Sequence, residues 1–452
     1  VLDSARFGRT PVQFLLVLAA CCLVAIVALV IVVAQRGPAP GLVGLCLAVL
    51  PIPLLVVLIL YLDRLEPEPR ALLAAMFGAG AGMAVITALL GRALHTGAIT
   101  PPELGPHAGR VVAITVGAAI GGALVAETLS GAVLLALLAS RRTEIDGAHD
   151  GVVYASMTGL GFALVANLYA YSQAWNAGAS ALVEEFTRRG IFGPLFQALF
   201  TSMIGLGIAY AASRRSGGYL AIIAGWIAAV ALDALWNHSV AAGGTSLLVT
   251  YVILIAALIG VIVVVVIDRQ RVVAMITMFL PGFEDPEVVM VTDVRMLASL
   301  RMRRLGRQWA RLNLGLDGKR AMAQYQLAAT ELAMACNRNS FGRTTTEAYA
   351  KHRDDSLDLM RAAAAIVRRQ EQLYPPPWLG PDDLSVFVAR AVGPPRPMTW
   401  PRPPVGLGRA LPERGLRFGG GRRAALAGAS ADAERCPLES QQPLLAIEAA
   451  AV

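Results

Sequence analysis

Eight separate stretches of this 452-residue chain are long and apolar enough to cross a lipid bilayer, and that constraint governs every other reading. They cover roughly residues 11–35, 41–62, 71–90, 111–139, 151–174, 194–212, 219–240 and 247–267. The hydrocarbon core needs about 20 mostly apolar residues per helix, since no water is present there to satisfy an open backbone. Composition agrees. Hydrophobic residues make up 56% and charged residues 15% of the chain, against roughly a quarter charged in soluble domains. So few charges could not cover a water-facing surface. A wholly disordered chain, a disulfide scaffold and a cytosolic globular enzyme are all excluded. The cysteines Cys21, Cys22, Cys46, Cys336 and Cys436 show no metal-type spacing, and read as reduced side chains.

The first stretch follows Arg6 and Arg9, as a signal peptide would, but its apolar run is too long and no A-x-A cleavage site follows it closely. It reads as a retained helix. The chain starts at Val1 with no Met, and a true start upstream or at a non-ATG codon is expected. With the N-terminus inside, the inner loops hold Arg6, Arg9, Arg64, Arg70, Arg141, Arg142, Arg214 and Arg215, whereas the outer loops hold Arg36, Arg92, Arg110, Arg188 and Arg189. Basic residues favour the cytoplasmic side, so both termini are expected there, in a multi-pass protein of the cytoplasmic (plasma) membrane.

Charge is distributed unevenly. Residues 1–267 carry 13 basic and 12 acidic side chains, and residues 268–452 carry 26 and 19. Beyond Ile267 the pattern becomes amphipathic. Over 285–373 two or three helices are predicted, with Val294, Leu297, Leu305, Trp309 and Leu312 at helical spacing and Arg301, Arg303, Arg304, Arg307 and Arg311 between them. Thr344 and Glu347 form a capping box for the last helix, which Pro375, Pro376 and Pro377 end. The remainder is rich in Pro, Gly, Ala and Arg without periodicity, and disorder is expected. The fold class is therefore an all-α polytopic membrane protein of about eight transmembrane helices. Residues 1–268 form the transmembrane bundle, 269–373 a small cytoplasmic helical region, and 374–452 a disordered Pro/Gly/Arg-rich tail.

Ionisable groups at bilayer depth cost roughly 2.5–3.5 kcal/mol each and demand a reason. The fourth stretch holds Glu127, the fifth Asn167 and Tyr171, and the sixth Gln197 and Thr201. The seventh adds Asp233, Trp236, Asn237 and His238. Spacing of four puts Asn167 with Tyr171, Gln197 with Thr201, and Asp233 with Asn237 on shared faces. Two readings stand: hydrogen bonds that glue a bundle, or one interior functional cluster. Amides and hydroxyls fit the first; Glu127 and Asp233 press the second.

The order of motifs then becomes informative. YLDRLEPEPR from Tyr61, GGALVAETLSG, EIDGAHDGVVYASMTGLGFALVANLYAY, GPLFQALFTSMIGLG and DALWNHS together resemble the PrsW family of intramembrane metalloproteases, related to the CAAX-protease superfamily. The resemblance covers about residues 61–240. It implies a bacterial membrane protease in which carboxylates and imidazoles from several helices hold a divalent metal such as zinc and a Glu activates bound water. By the same resemblance the substrate is a membrane-anchored regulator such as an anti-sigma factor. Glu127 would then be the water-activating base, with Asn167 and Asp233 near the metal.

The family positions are mostly substituted. Its paired glutamates read Ala126-Glu127, its lysine Ser130, its Glu-Asn pair Ala166-Asn167, and its two histidines Gln197 and Asp233. The scaffold positions persist, among them Asp63, Arg64, Glu66, Asp146, Gly147, Asp150, Gly151, Gly159, Gly161 and Phe162. Loss of both imidazoles predicts no bound metal and no cofactor. His238 offers no simple replacement, being five residues and roughly 140° round the helix from Asp233. The expectation is a catalytically degenerate pseudoprotease that binds membrane partners, namely the bilayer and single-pass proteins or a paralogous protease. The alternative is an active metallopeptidase.

Other signals are weaker. His95 and His107 fall in a predicted loop at 91–110 and read as solvated. His149, between Asp146 and Asp150, reads as part of a turn and helix cap. GLGIA at 205–209 suits close helix packing rather than phosphate binding. A transporter would call for an inverted repeat or broken helices; no such symmetry is present, and only Gly121-Gly122 and Gly159–Gly161 offer breaks. The arginines of the C-terminal half suit anionic lipid or a solvated face, and no nucleic-acid module is present.

Overall fold

In a computed structural model the chain is described at residues 11–63, 68–97, 108–141, 145, 147–212, 218–283, 288–340, 344–371 and 376–378. Among these residues the fold is all-α. Thirteen helices run α1 (Pro11–Arg36), α2 (Pro38–Val49), α3 (Ile52–Leu62), α4 (Arg70–Gly97), α5 (Ala108–Ser140), α6 (Ala148–Ala177), α7 (Ala179–Arg189), α8 (Phe192–Ala212), α9 (Tyr219–Ala242), α10 (Gly244–Phe279), α11 (Val291–Leu297), α12 (Leu300–Ser340) and α13 (Thr346–Glu371). Eight spans are long and apolar enough to cross a membrane, with α2 and α3 together making one (Pro38–Leu62). Two compact units divide the chain, Val1–Gln270 and Arg271–Val452.

Within the first unit α6 is the axis, packed against α8, α4 and α2. Its backbone touches its neighbours because glycine removes the side chain at each crossing. A Cβ on Gly151 would overlap the carbonyl oxygen of Gly205 on α8, and one on Gly205 that of Gly151. On the α4 side Gly161 meets Phe77 and Gly80 meets Thr158 in the same way. Without a hydrophobic drive between helices in lipid, such close backbone approach is what holds a bundle together. Tyr154, Leu160, Leu168 and Tyr171 of α6 are buried.

Several expectations change. Pro51 divides the second apolar stretch into α2 and α3, since its ring and missing N–H cannot continue the α2 ladder. By contrast, α5 and α6 run unbroken through Gly121-Gly122 and Gly159–Gly161. The predicted loop at 91–110 is shorter, because α4 extends through His95 to Gly97 and α5 starts at Ala108; His107 lies outside the described residues. Arg188 and Arg189, expected in a loop, end the amphipathic helix α7. Gly243 and Gly244, at φ 66° and 57°, turn the chain from α9 directly into α10, which L side chains would resist.

One polar network gathers the end of α3, the start of α6 and Asp268 within α10. Asp63 accepts from the Glu68 backbone N–H at 3.1 Å, and Tyr154 donates its hydroxyl to Glu68. The His149 ring approaches Asp150 and the Leu62 carbonyl, while its backbone N–H donates to Asp268 at 2.9 Å. Asp150 reaches back to the Gly147 N–H at 2.9 Å, capping α6. Asp146 lies outside the described residues. Burial pushes the Asp63 carboxyl up to about 7, against the opposing pull of the Glu68 N–H and of His149.

In the second unit Ile276, Phe279, Met296, Trp309, Tyr325, Leu332 and Met360 form the core. The basic stripe is not uniformly solvated: Arg303 is buried, donating to the Leu297 carbonyl and the Thr330 hydroxyl, each at 2.7 Å. Arg307 bonds Gln326, whereas Leu312, expected on the apolar face, is exposed. The cap of α13 is Thr345 rather than Thr344, its Oγ1 accepting the Ala348 N–H at 3.3 Å. Chain order also extends past the proline run. Trp378 is buried edge-on against Trp309 at 5.6 Å, so the tail's first residues belong to the core. The disorder expected from 379 onward falls outside the described residues.

Candidate functional site

Three helices bring polar side chains together at membrane depth. Glu127, halfway along α5, is fully buried. Across from it, Gln197 of α8 donates its amide to Glu127 Oε1 at 2.7 Å, and Thr201, one turn further on, reaches Oε2 at 3.4 Å. The Thr201 hydroxyl also turns back to the Gln197 carbonyl at 3.2 Å, which fixes it on this face. On α9 the Asn237 amide donates to Asp233 Oδ1 at 2.9 Å, and the charges of Glu127 and Asp233 lie close enough to act on one another. The five side chains thus form one cluster assembled from positions 110 residues apart at the extremes.

An aromatic wall stands beside it. Phe196 of α8, Trp236 of α9 and Tyr251 of α10 are mutually 5.3–5.7 Å apart, and Phe192 completes the group. Phe196 precedes Gln197, and Trp236 lies one turn from Asp233. The wall therefore fixes the two helices that carry the polar groups, as edge-to-face rings favour.

The other expected residues lie apart from these bonds. Asn167 is buried on α6 beside Gly193, and its Nδ2 has no hydrogen-bond partner among the described residues. Tyr171, one turn on, is buried with its hydroxyl likewise unpartnered and its ring 5.8 Å from Phe186 of α7. His238 remains helical, since α9 continues to Ala242, and its Nδ1 finds no partner among the described residues; it does not join Asp233.

Two participants escaped the sequence reading. Arg189, at the end of α7, acts electrostatically on Asp233, and Tyr251 donates to the Arg188 carbonyl at 2.7 Å, tying α7 to α10. The paired Glu185–Arg189 spacing was the available signal for a short surface helix. Ser130 also sits on the Glu127 face, one turn along α5, buried and without a hydrogen-bond partner among the described residues.

The donor set does not fit zinc. It offers two carboxylates, neutral amides and a hydroxyl, with no imidazole or thiolate, where zinc takes His, Cys and carboxylate. Among the described residues no group of three His, Cys, Asp or Glu side chains could hold a metal ion. What the cluster can do is exchange hydrogen bonds. Residues 68–267 match the family model described as PrsW family intramembrane metalloprotease. No curated protein and no solved structure matches the chain.

Proposed function

Starting from residues 68–267 as a PrsW-family membrane domain, we propose that this protein is a catalytically degenerate relative whose interior cluster binds membrane partners instead of cutting them. The observation that carries this reading is the bond from Gln197 to Glu127. At the position where the resemblance puts a metal-binding imidazole stands a neutral amide, a poor zinc ligand, and it donates to the carboxylate. Asp233, at the second imidazole position, is engaged by Asn237.

The bundle also holds polar groups outside that cluster. Asn167 Nδ2 and Ser130 Oγ are buried without partners among the described residues, and each such group costs about 1–3 kcal/mol until it is satisfied. A partner helix bearing Ser, Thr or Asn reaches them only when the bundle opens, and a polar transmembrane segment of a single-pass protein or a paralogous protease is the ligand class favoured. The arginine distribution favours both termini on the cytoplasmic side.

Retention of Glu127 favours one competing reading, an active metallopeptidase cutting a membrane-anchored regulator. Metal analysis of the detergent-purified full chain separates the two. The expected result is well under one zinc per chain, unchanged in Glu127→Ala. About one zinc per chain that is lost in Glu127→Ala, together with hydrolysis of a membrane-anchored reporter, overturns the proposal.

A further inference from the structure

The second unit carries an apolar surface that its own core leaves unused. Residues 300–340 are a hairpin and not a single rod, because Gly315 breaks the helix at φ 71°, ψ −156°. Side chains pair across the two arms, Arg303 with Thr330 and Arg307 with Gln326. Nearer the turn Gly318 packs so closely on the Ala310 carbonyl that a Cβ would lie 2.8 Å from it. At the apex Leu312 is 78% exposed and Leu316 60% exposed.

Single exposed leucines are ordinary on protein surfaces. Two at one apex, with exposed Arg311, Lys319 and Arg320 around them, are a different pattern. The acid at the apex, Asp317, pairs with Arg320 at 3.1 Å, which leaves the apex net positive. Charge complementarity therefore selects an anionic surface. Chain continuity selects a bilayer, since the unit begins at Arg271, four residues after the last apolar stretch ends at Ile267. Being on the same chain as the spans, the unit meets lipid at high effective concentration.

We propose that the Leu312–Leu316 apex is a membrane-docking tip. The two leucines enter the interfacial zone of an anionic bilayer while Arg311, Lys319 and Arg320 lie against lipid phosphates, the pattern by which amphipathic surfaces bind membranes. The basic stripe read from the sequence thereby narrows to the apex, since Arg303 and Arg307 are committed to the hairpin's interior. This inference does not depend on how the cluster around Glu127 is read.

The test uses the full chain in nanodiscs, with native cysteines replaced and Leu312→Cys carrying an environment-sensitive fluorophore. In discs of phosphatidylcholine with phosphatidylglycerol, emission shifts to the blue and is quenched by shallow nitroxide-labelled lipid. In phosphatidylcholine alone both effects are weak. Arg311→Gln with Lys319→Gln lowers the docked-to-free ratio about 25-fold, at about fivefold per basic residue, and Leu316→Ser lowers it roughly tenfold or more. All these positions are exposed, so the hairpin core is untouched. Quenching that ignores lipid charge, or is absent from both discs, overturns the proposal. So does a disulfide between Leu312→Cys residues of two copies without lipid quenching, which assigns the apex to self-association.

Discussion

Replacing Gly161 by alanine drives the new methyl into the backbone of α4. An ideal Cβ there lies 2.7 Å from the Phe77 carbonyl carbon and closer still to its oxygen, whereas carbon atoms rest at about 3.5–4.0 Å. No rotamer relieves a backbone clash, so α4 must withdraw by about 1 Å. Overpacking typically costs 1–3 kcal/mol, and a rigid backbone contact belongs at the top of that range, about 3 kcal/mol. Gly80→Ala, whose Cβ would lie 2.8 Å from the Thr158 carbonyl carbon, meets α6 from the other side of the same crossing. Once α4 has retreated for one methyl, the second finds space. The double variant therefore costs well under the sum of the singles, a coupling of at least about 1 kcal/mol. Gly121→Ala is the control, with nothing within 4 Å of its Cβ. Thermal unfolding of the detergent-purified chain reads all four proteins, each kcal/mol moving Tm by roughly 2–4 °C. Strict additivity of Gly80→Ala and Gly161→Ala, or a Gly161→Ala protein as stable as Gly121→Ala, refutes the argument.

Two further outcomes are expected. The Asp63 carboxyl, raised by burial from 3.8 to about 7, keeps a proton in the folded state that the unfolded chain releases. Its contribution to stability therefore falls as pH rises from about 4 to about 7, by about 4 kcal/mol in all. Asp63→Asn should match the parent near pH 4 and exceed its Tm at pH 8, and equal pH dependence of the two proteins contradicts this. In the second unit Arg303→Met leaves the Leu297 carbonyl and the Thr330 hydroxyl without their buried donor, a loss of about 3 kcal/mol. Hydrogen exchange of the amides around Thr330 should accelerate about a hundredfold, and unchanged protection counts against the assignment.

The membrane class was legible because bilayer thickness demands only a length of apolar chain, and local sequence states that directly. Pro51 and the Glu185–Arg189 spacing are local signals too, but reading 41–62 as one stretch and Arg188 and Arg189 as loop passes over both. Other features depend on partners remote in sequence. Arg303 reads as one more member of a basic stripe, since nothing nearby announces Thr330, 27 residues away. Trp378 reads as tail until Trp309 is placed against it. At the polar cluster, helical spacing assigned residues to faces, yet only packing could decide that Gln197 and Thr201 meet Glu127 while Asn167 turns towards Gly193. The resemblance named the positions, and the arrangement of α5, α8 and α9 decided which of them touch.

The two-glycine turn between α9 and α10 has a mechanical consequence. α10 begins at Gly244 and within about two turns brings Tyr251 against Trp236 of α9 at 5.7 Å. Gly243 and Gly244 leave almost no slack at its near end. The pose of Tyr251 against Trp236, and with it that of the helix bearing Asp233, is therefore set by two residues of backbone.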